Sequence, residues 1–157
     1  MYFDAPAADN LERLRHDADA KAAEGDTVTA MAMYKVLVGQ GARVLHEYNL
    51  TTMRSRDAFA RLLLDADNVD AAIPHLRETL RAYRRNFPIG VMVGLQTALV
   101  AKGEVAVGNA QQGLLLTREA ISLLSVTHGL NSKLLADLRE LERTAALTAQ
   151  GAASFIS

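Results

Sequence analysis

Histidine is the side chain of this sequence that is best suited to metal binding and to proton transfer near neutral pH. The chain has four histidines, at His16, His46, His75 and His128. The segment HEYNL begins like the zinc motif H-E-x-x-H, but Leu50 stands where the second histidine must be. Two histidines that share a metal from one helix must lie one helical turn apart, and no pair has that spacing. We therefore expect no metal site.

Other catalytic motifs are also missing from the sequence. No histidine lies beside a serine in a nucleophile elbow, and the segment GNAQQG lacks the Lys-Ser/Thr pair of a phosphate-binding loop. The chain has no cysteine, which excludes disulfides, thiolate zinc sites and a cysteine nucleophile. We expect no cofactor and no enzymatic activity from this chain alone. A small helical enzyme or ligand-binding protein stays as a minor alternative.

A run of arginines has a pattern that could bind anions. In HLRETLRAYRRN, Arg77, Arg81 and Arg85 fall at i, i+4 and i+8, with Arg84 beside them, so they share one helix face. Such a basic stripe suits an acidic peptide or phosphates. The competing interpretation is a solvated outer face that Glu78 partly compensates. The net charge of −1 favours that interpretation and disfavours nucleic acid as a partner.

The elements that position these residues are all predicted to be helical. Ala and Leu are abundant, only three prolines occur, and period-2 alternation of β-branched residues is almost absent. Gly, Asn and Asp mark the breaks. The predicted helices cover approximately residues 8–24, 27–48, 51–66, 69–86, 89–102, 106–128 and 132–148.

Two segments superimpose as copies of a helical repeat. GDTVTAMAMYKVL and DNVDAAIPHLRET each place an alanine five residues after a turn, at Ala30 and Ala72, and a bulky residue four positions later, at Tyr34 and Leu76. Small side chains at such positions let two antiparallel helices approach closely. The pattern resembles the tetratricopeptide repeat.

A third, displaced copy is predicted to begin at Gly103, with Gly113 and Ala120 as its small residues. About three stacked repeats are needed to bury a continuous core, and the last helix usually has a polar outer face. The expected fold is therefore all-α: a tetratricopeptide-like array of about three antiparallel helix pairs plus a C-terminal capping helix. We expect one such domain at 8–148, with a flexible N-terminus at 1–7 and a flexible tail at 149–157.

The order of several short motifs is similar to the C-terminal helical domain of the SET-and-MYND-domain protein-lysine methyltransferases. The motifs are LHEYN, TLRAYRRNFP, VMVGLQTALVAKG and REAISLLSVTHG, followed by a final helix, and they cover about residues 25–145. Ser132 stands where the family tends to carry a second histidine. Pro88 is not followed by the family's His-Pro pair.

That resemblance implies a helical module without the catalytic parts of the family. Methyl transfer belongs to the SET domain, and the MYND module needs cysteine-rich zinc sites that a cysteine-free chain cannot hold. The implied role is a partner-binding or regulatory domain. The alternative is a stand-alone tetratricopeptide adaptor or scaffold, including the kinesin-light-chain type, with a helical groove for peptides. In both cases the expected partner is a protein or peptide.

Tetratricopeptide arrays often hold acidic peptide ends with basic residues on the first helix of each pair. On the present register, Arg15, Arg54 and Arg61 are the predicted partner-binding residues. Asp19 lies next along from Arg15 and would repel a carboxylate, while Ala58 supplies no charge. A complete two-carboxylate clamp is therefore not expected.

The segment SVTHGLNSKLLADL places a His-Gly pair between two predicted helices. Gly129 suits the left-handed position that ends a helix, because it carries no Cβ, and Leu130 can then contact the last turn. His128 lies near the carbonyl end of the helix dipole, and Asn131 can cap the next helix. We interpret His128, Gly129 and Asn131 as a structural junction.

The N-terminal sequence MYFDAPAADN lacks the basic and apolar regions of a secretory signal. The longest apolar runs are shorter than the roughly 20 residues of a membrane-spanning helix. We therefore expect a cytoplasmic or nuclear protein with no membrane partner. The sequence does not determine the oligomeric state.

Overall fold

The structure is a computed structural model that describes residues 5–45, 49–87, 90–129 and 131–154. These residues form seven α-helices and no strand, so the predicted all-α class is confirmed. The helices are α1 (Ala5–Ala23), α2 (Thr27–Val44), α3 (Leu50–Asp65), α4 (Val69–Asn86), α5 (Val91–Ala106), α6 (Ala110–His128) and α7 (Lys133–Ser154). None of them is both long enough and apolar enough to cross a membrane.

Two terminal helices are longer than the sequence patterns indicate. α1 begins at Ala5 and includes Pro6, whose missing N–H is tolerated because it lies in the first turn. α7 continues to Ser154 through an alanine-rich segment with high helix propensity. The division into one domain with flexible ends stays a prediction.

The same turn ends the first helix of each of three helix pairs. Gly25, Asp67 and Gly108 have φ values of 84°, 57° and 85°. In each case the next backbone N–H donates to a carbonyl five residues earlier, at 2.8 to 3.0 Å, as in a Schellman motif. The turns lie at nearly equal spacing along the chain, so the three helix pairs are copies of one unit.

The third copy differs from the predicted one. Gly103 is buried inside α5, and the turn lies at Gly108. Measured from that turn, the small positions are Ala101 and Gly113, and Ala120 belongs to another part of the core. Gly103 does not end α5, because a helix can include a glycine at a modest cost in free energy.

Small residues occupy the two equivalent positions of every copy, seven before and five after the turn. The five alanines among them have no exposed surface, and Gly113 is buried. The paired helices can approach closely only if these residues are small, since any larger side chain would separate the helix axes. The six residues are Ala18, Ala30, Ala60, Ala72, Ala101 and Gly113.

The chain divides into two compact units, residues 1–82 and residues 83–157. In the first unit, α1 packs against α2 and α3, and α2 packs against α3. Phe59 on α3 meets His75 on α4 edge to face, with ring centroids 4.9 Å apart. Tyr34 and Leu76, the bulky repeat positions, are 2% and 0% exposed. Both belong to the core, as the repeat pattern predicts.

In the second unit, α6 packs between α5 and α7. One cluster of its core joins all three helices through the buried residues Ala98, Ala120, Leu124, Leu135 and Leu138. α7 is amphipathic, because Leu138 and Ala145 are buried while Arg139 and Arg143 are exposed. An apolar face on one side and a charged face on the other are expected of a capping helix.

Candidate interaction surfaces

The three described histidines lie on three different helices. His16, His75 and His128 lie on α1, α4 and α6, and His46 lies outside the described residues. Among the residues that the structure describes, no three His, Cys, Asp or Glu side chains are placed to hold a metal ion.

Arg15 lies on α1 between two carboxylates. Its guanidinium is 2.6 Å from an oxygen of Glu12 and 2.6 Å from an oxygen of Asp19. Glu12 also accepts a hydrogen bond of 2.8 Å from the hydroxyl of Thr51 on α3, and the hydroxyl of Tyr34 on α2 donates to Asp19. We call these five residues the Arg15 network. It joins α1 to both α2 and α3, and the guanidinium already has two anionic partners.

The Arg15 network changes the ionisation of its members. The hydrogen bond from Arg15 lowers the pKa of the Glu12 carboxyl, against an opposing contribution from burial. Burial and the hydrogen bond to Asp19 raise the pKa of the Tyr34 hydroxyl far above its ordinary value. Glu12 is therefore ionised and Tyr34 neutral at pH 7, which is the combination that the network's hydrogen bonds require.

We expect Glu12→Gln to lower the free energy of unfolding by about 0.5–1 kcal/mol at neutral pH, a small value because Glu12 is partly exposed to screening water. The pKa of Glu12 is lower in the folded chain than its ordinary value of 4.5. Its contribution is therefore complete above that value and is lost as pH falls through the folded-state pKa. Urea unfolding between about pH 7 and pH 3 should show the difference between wild type and variant shrinking toward zero.

Glu140→Gln is the matched control for this prediction. Glu140 pairs with Arg143 at 3.0 Å on the surface of α7, where the two side chains are 69% and 73% exposed. Its replacement should leave the unfolding free energy unchanged at every pH. A constant difference between Glu12→Gln and wild type across the acid range would contradict the assigned role of the Glu12 carboxylate.

Arg54 and Arg61 lie two turns apart on one face of α3, with Ala58 between them. Both arginines are exposed. Arg61 makes an ion pair of 3.0 Å with Asp57, one turn earlier, whereas Arg54 has no partner among the described residues. This face of α3 carries the predicted binding residues that remain accessible, while Arg15 is held inside the Arg15 network.

The arginines of the predicted basic stripe are exposed on α4 but engaged with other groups. Arg81 lies 3.1 Å from Glu78. Arg84 donates to both carboxylate oxygens of Glu119 on α6, at 2.7 Å each. Arg77 and Arg85 also make polar or electrostatic interactions. An incoming anion would have to compete with these partners.

A groove lies in the first unit between α2 and α4, with α3 as its floor and a volume of about 550 Å³. On α2 it is lined by Met31, Ala32, Lys35, Val38 and Gly39. The remaining lining residues are Phe59 and Leu63 from α3 and Ala71 and His75 from α4. We call this cavity the α2–α4 groove. Its lining is almost entirely apolar, apart from Lys35 and His75.

His75 is half-buried in the wall of the α2–α4 groove. Burial lowers the pKa of its imidazole, and the positive charge of Arg56 on α3 lowers it further. His75 is therefore neutral at pH 7 and can donate one hydrogen bond and accept another. The sequence patterns did not single out the groove, although the mid-helix glycine in VLVGQG was a signal that could have indicated it.

The predicted junction lies at the surface of the second unit. Gly129 follows the last residue of α6 and has φ 73° and ψ 151°, a positive φ as predicted but with extended rather than left-handed helical ψ. The exposed His128 contacts the hydroxyl of Thr127 at 2.8 Å, and Leu130 lies outside the described residues. The structure places the cap of α7 at Ser132 instead of Asn131, since the Ser132 hydroxyl accepts from the N–H of Leu135.

Comparison with characterised proteins finds one relative by sequence. The chain is 22% identical over 132 residues to the histone-lysine N-methyltransferase ASHR1 of Arabidopsis thaliana. The match covers 83% of this chain but only 28% of that protein. No protein-family model matches the chain. The predicted resemblance to protein-lysine methyltransferases is therefore confirmed at a low level of identity.

Solved structures match the fold over nearly the whole chain. A kinesin-light-chain-type protein of Podosopora anserina with nearly identical TPR-like repeats superimposes with a TM-score of 0.68 at 17% identity, over 95% of this chain and 72% of that one. BtubC (BKLC) from P. vanneervenii gives a TM-score of 0.67 at 11% identity, over 92% and 62% of the two chains. The chain therefore has a tetratricopeptide-like helical-repeat fold, and its sequence resembles part of a histone-lysine methyltransferase.

Proposed function

We propose that this chain is a non-catalytic protein–protein interaction module, and specifically the partner-binding or regulatory helical domain of a SET-and-MYND-like methyltransferase. It acts on a protein or peptide partner in the cytoplasm or nucleus. The neighbouring catalytic domain of such a methyltransferase supplies the methyl-transfer chemistry, and the helical repeats position a substrate or regulator beside it.

The observation that carries this proposal is the sequence match to a histone-lysine methyltransferase, which includes 83% of this chain. The matched segment is 28% of the methyltransferase, as expected if the two share one domain. The order of the short motifs in the chain supports the same relationship.

An antibody against the exposed face of α7 tests the link to methylation. We expect it to precipitate protein-lysine methyltransferase activity from cells that contain the protein, measured as transfer of radiolabelled methyl groups to lysine. A non-immune antibody is the control. Efficient recovery of this chain with activity no higher than in the control would contradict the methyltransferase link and leave the fold assignment untouched.

A stand-alone adaptor that binds peptides in a helical groove is the second candidate. The superposition on a kinesin-light-chain-type repeat protein favours it, because the match extends over 95% of this chain. The exposed basic face of α3, defined by Arg54 and Arg61, provides a surface that an acidic peptide can contact.

For the adaptor, we expect Arg54→Ala and Arg61→Ala each to weaken binding of acidic peptides by about tenfold, because each removes a charge-assisted hydrogen bond. Added salt should weaken binding to the wild type as well, since exposed charges are screened. Fluorescence anisotropy with labelled acidic peptides measures both effects. Arg143→Ala is the control, because Arg143 is an exposed arginine on α7. If the wild type and all three variants bound the peptides with equal affinity, this face of α3 would not be the binding surface.

A further inference from the structure

Gly39 in the wall of the α2–α4 groove faces open space in the described part of the chain. It lies inside helix α2, where glycine is less favourable than almost any other residue. A Cβ at this position would meet nothing within 4 Å, and the backbone is ordinary helix. The glycine therefore neither permits a close approach within this chain nor relieves backbone strain. Its effect is to keep the mouth of the groove open.

The residues around Gly39 give the groove a definite shape. Ala32 lies two turns before Gly39 on the same exposed face of α2, so the residues on either side of Lys35 have little or no side chain. On the opposite wall, Ala71 precedes His75 by one turn. The floor is made of Phe59 and Leu63, which are 8% and 6% exposed. Because the side chains at these wall positions are small and the floor is apolar, a helix from another protein can lie close to the groove.

The charged residues on the α2 side of the groove are all basic. Helix α2 contains the basic residues Lys35 and Arg43 and no acidic residue. Lys35 is exposed and has no ion-pair partner in the part of the chain that the structure describes. No acidic residue lines the groove among the described residues, and on α3 and α4 Asp57 pairs with Arg61 and Glu78 with Arg81. An occupant that carries a carboxylate would therefore find a free ammonium group at the rim.

We infer that the α2–α4 groove binds an amphipathic helix of a partner protein, with apolar side chains on the floor and an acidic side chain paired with Lys35. Anchors at i and i+4 of such a helix match the spacing of Phe59 and Leu63 on the floor. The neutral imidazole of His75 offers a hydrogen bond to the opposite side of the bound helix. This inference rests on the proposed function as an interaction module and names the chemistry of its partner.

Selection from a displayed library of helical peptides of about 15 residues tests the inference. The library varies apolar residues at i and i+4 together with Asp, Glu, Lys or Arg at the flanking positions. Peptides with two apolar anchors and an adjacent acidic residue should be enriched and should bind with a Kd below about 100 µM. Failure to enrich this pattern would overturn the inference.

Two variants locate the bound peptide. Gly39→Gln fills the open mouth of the groove, and we expect it to reduce affinity at least about tenfold while thermal stability is kept or raised, because glutamine is the better helix former. Lys35→Glu should also abolish binding of the selected peptide, and exchanging the peptide's acidic residue for lysine should restore it. Gly151→Gln and Lys102→Glu are the matched controls, since Gly151 also faces open space and Lys102 is an exposed lysine on α5.

The outcomes separate this inference from the proposed function. Peptides that bind equally to wild type, Gly39→Gln and Lys35→Glu but weakly to Arg54→Ala would overturn the groove assignment and leave the interaction module in place. Displacement of the selected peptide by a fatty acid alone, with no requirement for the acidic peptide residue, would overturn the partner class. Loss of binding in both groove variants, with restoration by charge exchange, would establish the site.

Discussion

Replacement of Gly113 by valine should destabilise the second unit by about 3 kcal/mol. Gly113 is a small residue of α6 that lies directly against α5. An added Cβ would lie 2.4 Å from the Cγ2 atom of Val105 and 3.1 Å from its backbone nitrogen. The side chain can rotate away, but the backbone nitrogen belongs to helix α5 and cannot move without separating the two helices. Urea unfolding followed by far-UV circular dichroism measures the effect.

Gly151→Val is the control for the Gly113 prediction. It introduces the same side chain into helix α7 at a position where a Cβ meets nothing within 4 Å. Its free energy of unfolding should stay within about 0.5 kcal/mol of the wild-type value, because valine and glycine differ little in helix propensity. Gly113→Ala should lie between the two. A Gly113→Val protein as stable as Gly151→Val would contradict the close contact between α5 and α6.

Replacement of Gly129 by valine should cost about 1–3 kcal/mol, because its φ of 73° with ψ of 151° falls in a region that is essentially restricted to glycine. His128→Ala should cost less than about 0.5 kcal/mol, since His128 is exposed and contacts only its neighbour Thr127. Thermal unfolding of the two variants should therefore give clearly different midpoints. Similar midpoints would contradict the interpretation that glycine, and not histidine, defines this junction.

A further comparison separates backbone strain at Gly129 from crowding. A Cβ at Gly129 would meet nothing within 4 Å, so the expected cost is conformational. Gly129→Ala should therefore be nearly as unstable as Gly129→Val. At Gly113, by contrast, alanine should cost clearly less than valine, because the size of the added side chain matters there. A small effect of Gly129→Ala together with a large effect of Gly129→Val would indicate crowding and would contradict the strain explanation.

The repeat pattern was readable because its requirements are local. Two helices joined by a tight turn can pack closely only if small residues lie at fixed distances from that turn, and Ala30 and Ala72 satisfy this condition in the sequence. The sequence predicts the third turn at Gly103 instead of Gly108, because both glycines resemble helix ends. The burial of Gly103 and the positive φ of Gly108 distinguish the two, and burial is a tertiary property.

The candidate binding residues illustrate the same limit. Arg54 and Arg61 are predicted as binding residues because they are basic residues on the first helix of a repeat pair, and both are exposed on one face of α3. The same rule predicts Arg15 as a binding residue, yet its guanidinium is paired with Glu12 and Asp19. The bond from Thr51 to Glu12, between residues 39 positions apart, depends on how α1 and α3 pack and could not be read from periodicity.

The sequence by itself determined the all-α class, the repeat unit with its small contact residues, the capping helix and the resemblance to a methyltransferase domain. These follow from helix propensity, from local spacing and from the order of motifs. The tertiary structure alone decided which charges are neutralised, where the third turn lies and that α2, α3 and α4 enclose an apolar groove with Lys35 at its rim. Such features arise where helices distant in sequence meet, and hydrophobic periodicity specifies which face of a helix is buried but not which residues of another helix it contacts.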